Sequence, residues 1–513
     1  MAEVIAKENR RLTWWRRARQ LTRALFLLLF LYLLVQTRQS AGGLPTDLFF
    51  RLDPLAGVSA MLASRSWLPA LALGGVTLVL TLALGRFWCG WLCPMGTVLD
   101  WLPLRRRFRN RLTPPSRWQI TRYVLLFAVL LSALAGSLTL IFLDPITLLF
   151  RTITVTLPLL SSLVTATESL LYRVEFLQTP LEQFDQWLRA SFLPAEPRFF
   201  LPNLALILLF LGVVALNLFQ PRFWCRHLCP LGTLLGLASR VPWLRQRVDQ
   251  AKCTGCQRCA AKCPLEAMKV EPKPSASPTL CTLCLDCLGK CSKGAITFRG
   301  EWGLAPGYDP SRRRFLASAG IAVAGAALLH SVPPLIEKRS GLVLPPGTSE
   351  ERLISQCIRC GECLKVCPTG GLQPGYSAKG LWTPMLVSRL GYCDYSCQAC
   401  GRVCPTQAIP ELTLQEKRKK VLGIAYIDRE RCIPWNEGRE CIVCEEMCPV
   451  PQKAIRFQGG QGRGRGRNSN VLLPHVVADL CIGCGICEHQ CPVGGESAIR
   501  IYPPEVAGIL GGL

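Results

Sequence analysis

The sequence predicts two architectures in one chain: an α-helical membrane-type half, then a run of small, cysteine-rich α+β modules. Three observations carry this. Long uncharged blocks crowd the first half, all 28 cysteines fall into eight local motifs, and one twelve-residue stretch occurs twice.

The uncharged blocks are Ala24–Thr37, Ser66–Gly85, Tyr123–Leu143 and Phe199–Pro221. Crossing a bilayer takes about 20 apolar residues in a helix. Three blocks have that length. The first is shorter, but Arg23 and Arg38 at its ends can snorkel outward. The net charge of +25 would suggest nucleic acid in a soluble protein, but its distribution follows the positive-inside rule instead. Residues 1–23 hold seven Lys/Arg, the segment 86–122 holds eight Arg against Asp100 alone, and 144–198 holds four Arg against six acids. The N-terminus and 86–122 are therefore expected on the cytoplasmic side and 144–198 outside, with no nucleic-acid partner. The uncharged stretch 152–167 reads as interfacial. A span there would put the two copies of the repeat on opposite sides.

The cysteines carry the chemistry. Cys253, Cys256, Cys259 and Cys263 form C-x2-C-x2-C-x3-C-P. Cys281, Cys284, Cys287 and Cys291 repeat the spacing with Ser292 in place of proline, and Cys357, Cys360, Cys363 and Cys367 repeat it with Pro368. Cys393, Cys397, Cys400 and Cys404 have one extra residue in the first gap. Cys432, Cys441, Cys444 and Cys448 have an eight-residue first gap, and Cys481, Cys484, Cys487 and Cys491 return to the regular form. This is the bacterial ferredoxin run, in which three close thiolates hold one [4Fe–4S] cluster and the fourth reaches the neighbouring one. Six quartets predict six clusters in three two-cluster modules. One zinc ion per quartet is the competing reading, but zinc sites have no need of the x3-C-P tail.

The flanks fit small α+β modules. Short β-prone runs at 294–298, 453–457 and 497–501 follow last cysteines, and 424–428 and 475–479 lead into the next motifs. The spacing pairs Cys253, Cys256 and Cys259 with Cys291, and Cys281, Cys284 and Cys287 with Cys263. Among the last four quartets, first with second and third with fourth is preferred. First with fourth and second with third is the alternative.

The four remaining cysteines lie in the repeat, RFWCGWLCPMGT at 86–97 and RFWCRHLCPLGT at 222–233. The repeat reads as a duplicated helix pair whose copies both end an outward-to-inward span and meet at the cytoplasmic face. Cys89, Cys93, Cys225 and Cys229 could bind a further metal centre, act as a dithiol relay or hold a partner. Their C-P endings favour a redox role. A structural turn built on Pro94 and Gly96, matched by Pro230 and Gly232, is the plain alternative. The four histidines include no Cys-x-x-Cys-His, which excludes c-type haem, and bis-histidine haem is not expected. His475 and His489 read as surface residues; His227, inside the second copy, could touch a cofactor, as the lesser of its two readings.

Ser311-Arg312-Arg313-Arg314-Phe315-Leu316 precedes an uncharged stretch to Ile336 and looks like a twin-arginine export signal kept as an anchor. The stretch 458–470, rich in Gly and Arg, reads as a mobile solvated loop. Docking through Arg463, Arg465 and Arg467 is a second reading. The expected domains are 1–245 (four helices with the two CxxxCP motifs), 246–300 (inner two-cluster module), 301–340 (signal anchor) and 341–513 (outer four-cluster domain).

Residues 1–300, with FWCGWLCP, FWCRHLCP and the quartets at 253–291, resemble the NapH family of polytopic ferredoxin-type proteins. Residues 311–513, with SRRRFL, CIRCGECLKVCPTGG, CQACGRVCPTQAI, CEEMCP and CIGCGICEHQCPVGGESAI, resemble the NapG/MauM family. The resemblance implies a quinol dehydrogenase component in the bacterial inner membrane, multi-pass, with its C-terminal domain in the periplasm. It would draw on the quinone pool within membrane lipid and feed a periplasmic cytochrome or reductase such as nitrate reductase. The fusion of the two types leaves the acceptor open. The rival class is a maturation or redox-regulatory polyferredoxin of the nitrous oxide reductase or amine dehydrogenase type. Such helpers for nitrous oxide reductase typically carry a large periplasmic flavin-binding domain before the first span, where this sequence has 23 residues.

Overall fold

In a computed structural model of the chain, the structure describes residues 2–37, 45–102, 118–172, 175–191, 203–269, 275–291, 293–300, 316–317, 320–321, 323–325, 343–375, 380–464 and 467–506. They form two compact units, residues 1–155 with 204–331 and residues 156–203 with 332–513.

Helix α1 (Ala2–Gln36) contains the first uncharged block, and its part from Thr13 to Gln36 is long and apolar enough to cross a membrane. A short α2 (Leu48–Arg51) leads to α3 (Pro54–Ser64). Proline occupies the first turn of α3, where its missing N–H costs nothing, and the Asp53 side chain accepts from Leu55 N and Ala56 N. The second block splits into a 3-10 turn (Pro69–Leu73) and α4 (Gly74–Leu84). The first repeat copy forms α5 (Phe87–Trp91) and α6 (Pro94–Trp101). The third block is α7 (Trp118–Leu134), stopped near Gly136 with its left-handed φ of 80°, then a 3-10 turn, Thr139–Leu143. Next come α8 (Pro145–Leu171) and α9 (Glu175–Ser191). The fourth block is α10 (Asn203–Ala215) with a 3-10 end, Leu216–Leu218. The second repeat copy forms a π-turn (Trp224–Leu228) and α11 (Pro230–Ala238).

Four spans were expected from the uncharged blocks. Among the described residues two helices meet the length and hydropathy of a span, Thr13–Gln36 and Pro145–Leu171; Pro69–Leu84, Ile120–Leu134 and Leu204–Leu218 are shorter apolar helices. Composition counted the blocks as continuous, whereas Pro69 starts the helical part of the second late and Gly136 divides the third. The stretch 152–167, read as interfacial, lies inside the 27-residue α8.

The first module follows in the same unit. Strand β1 (Leu244–Val248) precedes its first quartet, α12 (Arg258–Lys262) lies within it, and β4 (Ile296–Gly300) follows its second quartet. β1 and β4 pair antiparallel, Leu244 opposite Gly300 and Val248 opposite Ile296. Between the quartets lies a small hairpin of β2 (Met268–Lys269) and β3 (Ser275–Ala276). Met268, Cys287 and Ile296 form its buried core.

Among the described residues, the second unit repeats this plan once in part and once in full. A hairpin of β5 (Leu372–Pro374) and β6 (Pro384–Leu386) separates the quartets at 357–367 and 393–404. In the last module β7 (Ile424–Ile427) pairs antiparallel with β10 (Ile499–Tyr502) as outer strands, and β8 (Ile455–Gly464) pairs with β9 (Arg467–Val476) as the hairpin between quartets. This corrects the reading of 458–470 as a mobile loop, because ten residue pairs in register run through it. Its glycines permit close approach: a Cβ on Gly462 would lie 2.3 Å from Pro434 O, and one on Gly460 2.5 Å from Leu473 Cδ1. The side chains of Arg463, Arg465 and Arg467 lie outside the described residues, as do Ser311–Phe315 and most of the stretch to Ile336.

Gly462→Ala should therefore destabilise the last module by about 1–3 kcal/mol. Gly459→Ala, where a Cβ meets nothing within 4 Å, should be tolerated. Protease cleavage near the hairpin at rising temperature checks the pair.

Candidate iron–sulfur sites

The regular quartets share a local conformation. Around the second cysteine of each, the preceding and following residues adopt left-handed φ: Gly255 and Gln257, Leu283 and Leu285, Arg359 and Gly361, Gly483 and Gly485. This curls the chain so that three cysteines face one point. Where side chains other than glycine stand there the turn stores strain, of the order of 1 kcal/mol per residue. The fourth cysteine is held by a backbone donor farther on. Ala267 N donates to Cys263 Sγ (3.2 Å), Ala295 N to Cys291 Sγ (3.3 Å), Ile409 N to Cys404 Sγ (3.4 Å) and Ala454 N to Cys448 Sγ (3.4 Å).

Small cavities lie among the cysteines, and their linings cross between neighbouring quartets. One is lined by Cys281, Cys284, Cys287 and Cys263, another by Cys357, Cys360, Cys363 and Cys404. A third has Cys393, Cys397, Cys400 and Cys367, and a fourth Cys432, Cys441, Cys444 and Cys491. Cys448 acts on Cys481, Cys484 and Cys487, and Cys259 faces Cys253 and Cys291, so the other two groups follow the same rule. Neighbouring quartets are thus brought together, first with second and third with fourth. Within the second unit the modules meet at Cys393 N, which donates to Cys484 O (2.8 Å), and at Leu422 N, which donates to Ile482 O (2.9 Å). Four cysteine groups then follow one another in series.

The donor chemistry fits clusters. Burial pushes Cys281 up to about 12, Cys432 to about 11, Cys444 to about 12 and Cys484 to about 12. Bare thiols there stay neutral, so thiolates need the positive charge of bound iron. Among the described residues no three His, Cys, Asp or Glu stand close enough to hold a single metal ion. In the first module Cys256 is exposed while Cys284 and Cys287 are buried, so that pair of sites has an open and a deep member. Gln246 on β1 lies against the deep one, with Nε2 3.1 Å from Cys287 Sγ.

The two repeat copies meet, and both dock on the deep site. Arg222 of the second copy donates to Cys89 O (3.3 Å) and Gly96 O (3.4 Å) of the first. A Cβ on Gly232 in the second copy would lie 2.6 Å from Arg86 Nη2 of the first. Each arginine therefore packs on the other copy's glycine turn. Cys89, Cys93, Cys225 and Cys229 lie within electrostatic reach of one another. Burial pushes Cys93 and Cys229 well up and Cys225 to about 11. In the first copy Trp91 Nε1 donates to Leu283 O (3.1 Å) and Arg86 Nη1 to Thr279 O (3.0 Å). In the second, Arg226 Nη2 donates to Pro264 O (2.7 Å) and pairs with Glu266 (2.7 Å). Both contacts flank the deep site's cysteines.

An ion cluster ties this assembly to α1. Asp100 pairs with Arg222 (2.7 Å), Arg23 (2.7 Å) and Arg19 (3.7 Å), and Arg19 donates onward to Cys284 O (3.0 Å) and Gly90 O (3.2 Å). Burial alone would raise the Asp100 carboxyl, but Arg222 and then Arg23 and Arg19 outweigh it and hold it at about 2. His227, for which cofactor contact was the lesser reading, is a buried packing residue. Its Nε2 lies 3.2 Å from Gln220 Oε1, its ring packs on Phe223, and burial lowers it to about 4. His489 contacts Arg389 O, and both it and His475 are half-buried rather than surface residues. The sequence reading missed Asp100, Arg86, Arg222 and Gln246 as site residues. For the arginines the signal was present, since each opens a copy of the repeat.

These groups define an iron–sulfur electron-transfer protein with multiple [4Fe–4S] clusters. Models described as 4Fe-4S binding domains match residues 66–111 and 202–249, which hold the two repeat copies, and residues 247–269 and 474–495. A 4Fe-4S dicluster domain model matches 356–408. The methylamine utilization ferredoxin-type protein MauM of Methylorubrum extorquens is 34% identical over 221 residues, 41% of this chain and 96% of that protein. The ferredoxin-type protein NapG of Escherichia coli is 34% identical over 211 residues, 38% of this chain and 87% of that protein. MauM of Paracoccus denitrificans is 33% identical over 216 residues, 39% of this chain and 91% of that protein. The chain belongs to the MauM/NapG family of ferredoxin-type proteins.

Asp100→Asn should cost about 3 kcal/mol or more, because three buried arginines lose their common counter-charge. The carboxyl's folded value lies below its unfolded value of about 3.9. Its contribution is therefore full above about pH 4 and is lost as pH falls toward about 2. Thermal melts of wild type and variant in detergent should converge over that window.

Proposed function

We propose that the chain is a membrane-bound electron-transfer protein that takes electrons from quinol and delivers them to a periplasmic acceptor, with six [4Fe–4S] clusters in the crossed cysteine groups. The docking of both repeat copies on the loops of the deep site, in one unit with the apolar helices, carries this reading. It gives a helical, NapH-like half a direct mechanical contact with an iron–sulfur site. It also supports one topology. The Arg222–Asp100 pair holds both copies at one end of the unit, so the chain between them crosses the bilayer an even number of times. Crossings by α7 and α10 satisfy this, and α8 then lies along the surface or dips without crossing.

The electrons of quinol leave singly, which suits one-electron carriers. The four thiols of the repeat form the inner end of this path, as a further metal centre or a relay beside the deep site. The C-terminal modules, behind the twin-arginine-type segment, face the periplasm. The family names point to acceptors of the nitrate reductase or methylamine dehydrogenase systems.

Anaerobically purified protein should hold about 24 irons in its quartets; half that load in intact protein would sink the six-cluster reading. With quinol added to detergent-purified protein, low-temperature EPR should show cluster reduction. Cys89→Ser and Cys225→Ser should slow reduction of the inner clusters while iron at the six groups is kept. Wild-type rates in both variants would make the repeat structural.

A further inference from the structure

A second pair of repeated residues lies outside the cysteine sites. Leu52-Asp53-Pro54 precedes α3 and Leu143-Asp144-Pro145 precedes α8. Each tripeptide comes before one copy of the cysteine repeat. Each aspartate caps a proline-initiated helix with one oxygen only. Asp53 Oδ1 accepts from Leu55 N (2.8 Å) and Ala56 N (3.3 Å), and Asp144 Oδ2 accepts from Ile146 N and Thr147 N (2.9 Å each). The other oxygens, Asp53 Oδ2 and Asp144 Oδ1, are buried with no donor among the described residues. The two side chains contact each other at hydrogen-bond range, and both residues are 0% exposed. Two carboxylates in such contact cannot both be ionised, so one proton lies between them.

Helix capping alone does not explain this. Asparagine or serine caps as well as aspartate and carries no charge to bury. The surroundings are apolar and almost chargeless. Among the described residues, each carboxylate acts on the other, and Arg151 on α8, whose guanidinium donates to Phe142 O, acts on Asp144. Helices α3 and α4 carry no charged residue, Arg51 on α2 is paired with Asp47 (2.7 Å), and Arg122 on α7 packs on Tyr123. The pair is also placed with respect to the cysteines. A Cβ on Gly74, the first residue of α4, would lie 3.2 Å from Asp53 O, and the far end of α4 leads into Arg86 and Cys89. One helix of eleven residues, about 16 Å long, therefore separates the carboxyl pair from the cysteine cage.

We propose that Asp53 and Asp144 are a proton-binding dyad that accepts a proton from the hydroquinone oxidised by this protein. Resting on the quinol reading above, the step balances as follows. One hydroquinone becomes one quinone, and its two electrons pass singly to the iron–sulfur sites. One proton converts the singly protonated dyad to the doubly protonated form, and the other leaves to water. The dyad returns its proton to water before the next hydroquinone.

The test uses infrared difference spectroscopy and quinol-driven cluster reduction on the full-length, cluster-loaded protein. Asp53→Asn and Asp144→Asn keep the caps but cannot share the proton. A protonated-carboxyl band that shifts in heavy water should be present in wild type and lost in both variants. Both should reduce their clusters with hydroquinone at least tenfold more slowly and lose the wild-type pH dependence, with iron content and reduction by dithionite unchanged. Asp47→Asn should match wild type in every respect. A wild-type spectrum without the band, or a band surviving in both variants, overturns the dyad. Loss of the band with an unchanged rate and pH profile overturns its role as acceptor. If wild type ignores hydroquinone while the band behaves as described, the quinol reading fails, and the acceptor role with it, while the dyad stands.

Discussion

The arginine cluster on Asp100 is the constraint on which the first unit depends. It joins three segments far apart in sequence: α1 through Arg19 and Arg23, the first repeat copy through Asp100, and the second through Arg222. Buried charges of one sign gather only around a counter-charge, so removing the aspartate would strip it from Arg23 and Arg222 and leave Arg19 with Asp286 alone. Arg19 then reaches the deep iron–sulfur loop at Cys284 O. One carboxylate therefore links the helices, the cysteine cage and the first cluster module. The repetition of the cysteine stretch follows from the same geometry. Each copy supplies an arginine to the other's glycine turn and a contact to one flank of the deep site, a task a single copy cannot do from both sides.

The modules rest on a different principle. Their cores are small, and the cysteine groups themselves supply much of the buried interior, as Cys287 does beside Met268 and Ile296. Folding and cluster binding are then one process, since thiols pushed up by burial need iron before they can ionise. Crossing the fourth cysteine between quartets ties the halves of each module together and sets neighbouring sites side by side, as one-electron transfer requires.

Much of this was legible in the sequence. Cysteine spacing is set by the size of the cluster, so the quartets and several strands of the frame could be read directly, while the pairing of the last four quartets stayed open between two arrangements. The hairpin at 455–476 was not, because its glycines look like loop residues until the backbone of 434–438 is seen against them. The helical half was read too simply, since uncharged composition does not register the late start at Pro69 or the break at Gly136. His227 stayed open between two readings because a buried histidine and a cofactor-side histidine look alike in sequence. The Leu-Asp-Pro repeat was in plain view, but its meaning depends on two helix starts meeting in space.

The central claim is the crossed ligation of iron, and anomalous scattering at the iron edge tests it most directly. The account predicts six iron peaks in the quartet groups, with Cys404 beside Cys357, Cys360 and Cys363, Cys367 beside Cys393, Cys397 and Cys400, and the same exchange in the other two modules. A peak enclosed by the four cysteines of a single quartet, or a quartet group without iron, would contradict it.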